Sequence, residues 1–168
     1  MMDVGRSPSA RTTVSPRMRG PRGLGSPLAE RARKREDTHV KKKTRIGSVR
    51  DLEVYRRAFA AAMKIYQMSK QFPADEKYSL TDQLRRSSRS VCSNIAEGWR
   101  KRRYEAVFLN KLSDAGQEAA ETQTWLEFAL SCGYIDDEFF GELDSEYEQI
   151  FAMLNGMEKK AKSFCSAS

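Results

Sequence analysis

Seven cationic side chains fall within residues 85–103: Arg85, Arg86, Arg89, Arg100, Lys101, Arg102 and Arg103, against a single acid, Glu97. Guanidinium and ammonium groups at this density suit one task above others, which is to replace the counterions around phosphate groups. Arg85 and Arg89 are one helical turn apart, and Arg86 and Arg89 are neighbours at the i, i+3 spacing, so a helix here presents them together. Trp99 and Tyr104 flank the second group and offer rings on which bases could stack. Packing at a helix corner is the plainer role for Trp99.

Other reactive residue types are sparse. His39 is the only histidine, which excludes multi-histidine metal sites and most histidine-dependent catalysis. Glu118 and Glu121 stand at i, i+3, and with Glu97 they could share a proton or hold a metal for a nuclease. Solvated or arginine-paired acids are the plainer reading. Cys92, Cys132 and Cys165 are far apart and odd in number, so they define neither a disulfide framework nor a zinc ligand set, and they suit a reducing compartment. A cation such as Arg89 near Cys92 would lower the thiol pKa; the alternative is a small packing residue. No glycine-rich phosphate loop is present. The reading assigns no catalytic residue, metal, cofactor or small-molecule substrate, and expects a protein that is not an enzyme.

The net charge of +7 conceals an asymmetry. Residues 1–50 hold 14 Lys and Arg against four acids, a net +10, whereas the remainder holds 16 against 19, a net −3. Pro8, Pro16, Pro21 and Pro27 also lie in that first segment, which has few large apolar residues and no periodicity. Such a segment cannot bury enough surface to offset its ordering entropy, so residues 1–46 are expected to be a disordered basic tail. It reads as a polycationic arm, a solvated tail, or an over-extended start, with translation beginning at Met18 or later. Beyond residue 103 the balance reverses to four basic residues and 13 acids. A basic region beside an acidic remainder favours directed interaction over general stickiness.

The elements that must position these residues are helices. Residues 51–72 carry Leu52, Tyr55, Phe59, Ala62, Met63 and Tyr66 at helical spacing, capped by Ser48 or Asp51 and stopped by Pro73. Base stacking by those aromatics is the functional alternative to core packing. Residues 80–97 bury Leu80, Leu84, Ser88, Val91 and Ile95, with Ser79 and Asp82 as a capping box and Gly98 as the C-terminal cap. Residues 102–132 hold an unbroken seam of fours and threes: Phe108, Leu112, Ala115, Ala119, Thr122, Leu126 and Ala129. Residues 136–160 follow with Phe140, Leu143, Tyr147, Ile150, Leu154 and Met157, their first turn acidic through Asp136, Asp137 and Glu138. Short connections make sequential helices antiparallel neighbours. The expected fold is all-α, an up-down-up-down antiparallel four-helix bundle over residues 47–162, followed by a disordered end at 163–168. Val107, Leu109, Trp125, Phe128, Phe139 and Phe151 lie off the seams, and this second apolar face points to self-association.

Several strings in order identify a resemblance: Asp51-Leu52-Glu53-Val54-Tyr55, Phe72-Pro73, residues 76–86 (EKYSLTDQLRR), Ser93-Asn94-Ile95-Ala96-Glu97-Gly98, then Glu118, Glu121-Thr122-Gln123 and Gly133-Tyr134-Ile135. Residues 50–158 resemble a bacterial four-helix-bundle family. It includes proteins encoded in intervening sequences of large-subunit ribosomal RNA genes and the accessory variability protein of diversity-generating retroelements. The resemblance implies a homo-oligomer, often a pentamer, with a basic face; the retroelement member binds a reverse transcriptase and nucleic acid, and most members have no assigned activity. Cys92 stands where the family commonly has proline, so a kink there is not guaranteed, and the basic tail has no counterpart. Asn94, Glu97 and Gly98 read as a structural motif, a polar pair that bonds the start of the third helix.

Two functions follow for comparison. One is a non-catalytic oligomeric bundle that binds RNA, DNA or a nucleic-acid enzyme such as a reverse transcriptase through the seven cations. The other is a structural or protein-interaction module whose basic patch meets an acidic partner. No apolar run spans a membrane, and a cytoplasmic location is expected.

Overall fold

The computed structural model describes residues 46–165. The basic tail expected at 1–46 lies, apart from Ile46, outside the described residues. Among those described there are helices and no strands: α1 (Glu53–Met68), α2 (Leu80–Lys101), α3 (Glu105–Ser131), α4 (Asp137–Lys159) and a short α5 (Ala161–Cys165). Each long helix packs on its neighbours in sequence, and α1 also packs on α4, which closes the up-down-up-down bundle.

Ser48 and Asp51 do form a reciprocal cap, but around a 3-10 turn, Val49–Asp51, that precedes α1. The seam of α1 corrects the sequence reading in part: of the expected stripe Leu52 and Ala62 are buried and Tyr55 and Tyr66 half-buried. Val54, Ala58, Ala61 and Ile65 are buried, while Phe59 is 52% and Met63 43% exposed. Both stripes have helical spacing and lie one residue, about 100°, apart. The buried one carries the small residues Ala58 and Ala61, which permit a neighbouring helix to approach closely. On its flank Arg57 forms an ion pair with Glu146 of α4 at 2.9 Å.

After α1 the chain makes 3-10 turns, Ser69–Gln71 and Ala74–Tyr78, on either side of Phe72-Pro73. The cap of α2 is also corrected. Ser79 makes no side-chain cap; its hydroxyl donates to Glu76, whose carboxylate also accepts the Leu80 N–H at 3.3 Å. Glu76 further accepts from the Tyr134 hydroxyl at 3.1 Å, joining the α1–α2 turn to the α3–α4 turn.

Gly98 is not a cap. α2 runs through it to Lys101, because its missing side chain is needed for the helix crossing: a Cβ there would lie 3.1 Å from Lys111 Cβ and 3.6 Å from Phe108 Cδ2. The α3 seam is buried along its whole length, as expected. The Thr122 hydroxyl on it is satisfied by the Glu118 carbonyl at 2.8 Å and the Ser87 hydroxyl at 2.9 Å. Gly133, at φ 72°, closes α3 in a Schellman motif, with its N–H on the Leu130 carbonyl and that of Tyr134 on the Ala129 carbonyl, each at 2.9 Å. Asp136 caps α4 by accepting from Phe139 N–H at 2.8 Å.

The end of the chain is a further correction. Ser163, Phe164 and Cys165 belong to α5, and Phe164 sets its ring 6.3 Å from Trp99 and 6.0 Å from Phe108. Apolar contact holds the segment that polarity alone had read as disordered. Residues 166–168 lie outside the described residues.

Candidate nucleic-acid interface

The structure divides the seven cations into two groups on one helix. Arg85, Arg86 and Arg89 sit on the first half of α2, with Arg86 and Arg89 exposed. Arg100 and Lys101 are exposed at its end, and Arg102 and Arg103 follow in the turn to α3. Arg89 and Arg100 are 11 residues apart, about 16 Å along the axis. None of the seven is in an ion pair among the described residues, whereas Arg56, Arg57, Lys64 and Lys111 all are. Cations left unpaired on a bundle with acids to spare are available to an external anion.

Arg85 and Arg89 of the first group are held by the last turn of α1 and the 3-10 turn that follows it. Arg85 Nε donates to the Ser69 hydroxyl at 2.7 Å. The Arg85 and Arg89 guanidinium groups lie over the Tyr66 ring, 5.2 and 5.6 Å from its centroid, and Lys70 lies over it at 4.7 Å. Tyr66 is thus a common seat for three cations. The sequence reading missed Lys70, since only the docking of α1 on α2 brings it to this cluster. Asp82, Arg85, Arg86, Arg89, Ser90 and Ser93 line a shallow groove of about 400 Å³. In the second group Arg102 covers Trp99 at 4.1 Å and donates to the Trp99 carbonyl at 2.7 Å. Arg103 covers Tyr104 at 4.6 Å.

The Asn94, Glu97 and Gly98 motif holds α3. Lys111 enters beside Gly98, donates to Asn94 Oδ1 at 3.2 Å, and pairs with Glu97 at 3.2 Å and Asp114 at 3.1 Å. Those two carboxylates, Asp114 first, hold the Lys111 pKa above its ordinary value. The carboxylates considered for metal chemistry do not converge. Glu97 is taken by Lys111, and Glu121 accepts from Trp125 Nε1 at 3.0 Å. Partial burial, then the nearby Glu121, raises the pKa of Glu118, with Arg86 opposing. Among the described residues no group of three or more His, Cys, Asp and Glu is placed to hold a metal. Cys92 also departs from the activated-thiol alternative: it is buried in the core, and burial pushes its pKa up to about 11, the opposite of activation. α2 is continuous through it.

The second apolar face is largely absorbed by the bundle. Leu109, Trp125, Phe139 and Phe151 pack against the core, and Phe128 stays 53% exposed beside Trp125. A wider groove of about 1090 Å³ between α1 and the α3–α4 turn has Met63, Lys64, Tyr134, Ile135 and Phe139 in its lining and contains no catalytic grouping. No helix among the described residues is long and apolar enough to cross a membrane.

The family model described as 23S rRNA-intervening sequence protein matches residues 50–156. The chain belongs to that family. All seven cations and the Asn94, Glu97 and Gly98 motif fall inside the match to the 23S rRNA-intervening sequence protein family. A solved structure from Bacteroides thetaiotaomicron, described as a protein with unknown function from the S23 ribosomal protein family, is 29% identical. The similarity covers 63% of this chain and 98% of that one, with a TM-score of 0.57. No curated protein matches the chain. The resemblance drawn from the motif strings is thereby confirmed at the level of the 23S rRNA-intervening sequence protein family.

Proposed function

We propose that this protein is a non-catalytic, self-associating helical bundle that binds the phosphate backbone of nucleic acid through the exposed face of α2. The observation that carries the reading is the cluster of Arg85, Arg86 and Arg89, free of ion pairs among the described residues and with Arg85 and Arg89 seated on Tyr66, in a bundle whose other cations on α1 and α3 are ion-paired. Preorganised guanidinium groups lose less entropy on gripping phosphate than free side chains do. Association is then driven by counterion release, and affinity falls with salt by a log–log slope of about 0.7 to 0.9 per phosphate contact. Self-association, for which Phe59, Met63 and Phe128 offer exposed apolar surface, repeats the basic face in each subunit and multiplies its effective concentration.

The test is a titration of the full chain with labelled RNA and DNA at several salt concentrations, wild type against Arg86→Ala/Arg89→Ala. Amide hydrogen exchange with and without nucleic acid supplies the second readout, because the basic N-terminal segment gives every variant the same background affinity. Loss of salt slope together with protection on α2 supports the proposal. Unchanged slope and no protection on α2 would leave the protein-interaction module as the better account.

A further inference from the structure

Resting on the reading that this face takes nucleic acid, we infer that the ligand is double-stranded. α2 lies across a groove, with Arg86 and Arg89 holding phosphates of one strand and Arg100 those of the other. Two observations carry this. The first is the layout of the exposed stripe. Asp82, Arg86, Arg89, Ser93 and Arg100 are all exposed, while Leu84, Ser87, Val91, Ile95 and Gly98 on the opposite side are buried. At about 100° per residue, Arg100 points within about 40° of both Arg86 and Arg89. The stripe therefore has cations at its two ends, about 16 to 21 Å apart. Between them stand Ser90, Ser93 and Ala96, whose short side chains leave the middle of the helix low. The one carboxylate in that span, Glu97, is turned to Lys111 at 3.2 Å. A groove that admits a helix is about 12 Å wide between its walls, and so about 17 Å between phosphate centres. A rigid rod charged only at its ends fits those two walls. A single strand would meet no cation over the middle of its path and would be ordered for little return.

The second observation is that each ring beside these cations already holds one or more of them. Single-strand binders hold bases by stacking them on aromatic side chains. Here Tyr66 lies under Lys70, Arg85 and Arg89, Trp99 is buried and lies under Arg102, and Tyr104 carries Arg103. Tyr66 and Trp99 are thereby closed to bases, and Tyr104, 54% exposed, is left as a single ring with no aromatic neighbour among the described residues on which a strand could continue its stack. What remains is recognition of phosphate geometry, which a duplex presents in fixed form and a strand does not.

The experiment uses the full chain, with short DNA and RNA duplexes and their component strands, by fluorescence anisotropy across a salt series. Arg86→Ala/Arg89→Ala and Arg100→Ala alter exposed residues without ion-pair partners, and circular dichroism checks that they stay folded. Wild type should prefer either duplex over the strands by roughly tenfold or more, with the slope on duplex falling by about 0.9 for each contact removed, at either end of the stripe. The tighter of the two duplexes identifies whether the B-form or the A-form groove is the better fit. If strands bind as tightly as both duplexes, or Arg100→Ala leaves the duplex slope unchanged, the double-stranded inference is overturned. Should Arg86→Ala/Arg89→Ala still weaken all nucleic acids alike, the broader reading survives that loss. If no variant alters binding to any nucleic acid, both fail.

Discussion

Gly98 decides how near α2 and α3 can come. A Cβ at that position would press on Lys111 Cβ at 3.1 Å, an atom fixed to the α3 backbone and unable to swing away. Gly98→Val should therefore destabilise the bundle by about 1 to 3 kcal/mol through overpacking, read as a lower midpoint in urea. An unchanged midpoint would mean that the crossing is looser than its geometry. In sequence, this glycine after a polar turn is indistinguishable from a helix cap, because the neighbour that requires it is 13 positions away. Asn94 and Glu97 were legible as a polar grip on the third helix, but Lys111 as the residue gripped was not. Glu76 is a second residue whose work is tertiary. Its hydrogen bonds from Ser79, then from the Leu80 N–H and Tyr134, hold its carboxyl below the usual 4.5. A depressed folded-state pKa contributes stability that is present above about pH 4.5 and is lost as pH falls through the folded value. Glu76→Gln should flatten the acid side of the stability profile, measured by thermal melts between neutral pH and the acid limb. A variant that follows the wild-type profile throughout would show that the turn-to-turn link is not a source of acid sensitivity.

At the scale of elements, legibility depended on how many apolar stripes a helix carries. α3 has one continuous seam, and all seven of its expected core positions are buried. Leu126→Asp should accordingly abolish cooperative folding, since an unpaired carboxylate in that seam exceeds the 2 to 5 kcal/mol typical of emptying such a site. A well-folded Leu126→Asp protein by circular dichroism would contradict the seam. α1 carries two stripes, one large and aromatic, one small and aliphatic. Side-chain size favoured the first, and packing distance selected the second. Phe59→Gln and Met63→Gln should leave the protomer folded, since each position is exposed on its surface, and should lower the mass in light scattering, since both belong to the apolar surface proposed for self-association. An unchanged mass would remove these two side chains from the assembly interface. The basic face of α2 was legible as composition. Its division into two groups and the Tyr66 seat required the register of α2 against α1.

For the whole molecule, the apolar core of the described residues runs from Leu52 to Ala161. Removing residues 1–44 should shift the melting temperature by no more than a few degrees, and a larger drop would reveal contacts from that segment. The three thiols sit at three depths: Cys132 exposed, Cys165 half-buried and Cys92 buried in the core with its pKa near 11. That gradient turns the molecule into its own unfolding clock. A maleimide added to native protein should modify Cys132 within the mixing time scale of a free thiol and Cys165 more slowly. Cys92 should wait for the bundle to open, so that its labelling rate, followed by mass spectrometry, reports global opening without any engineered probe.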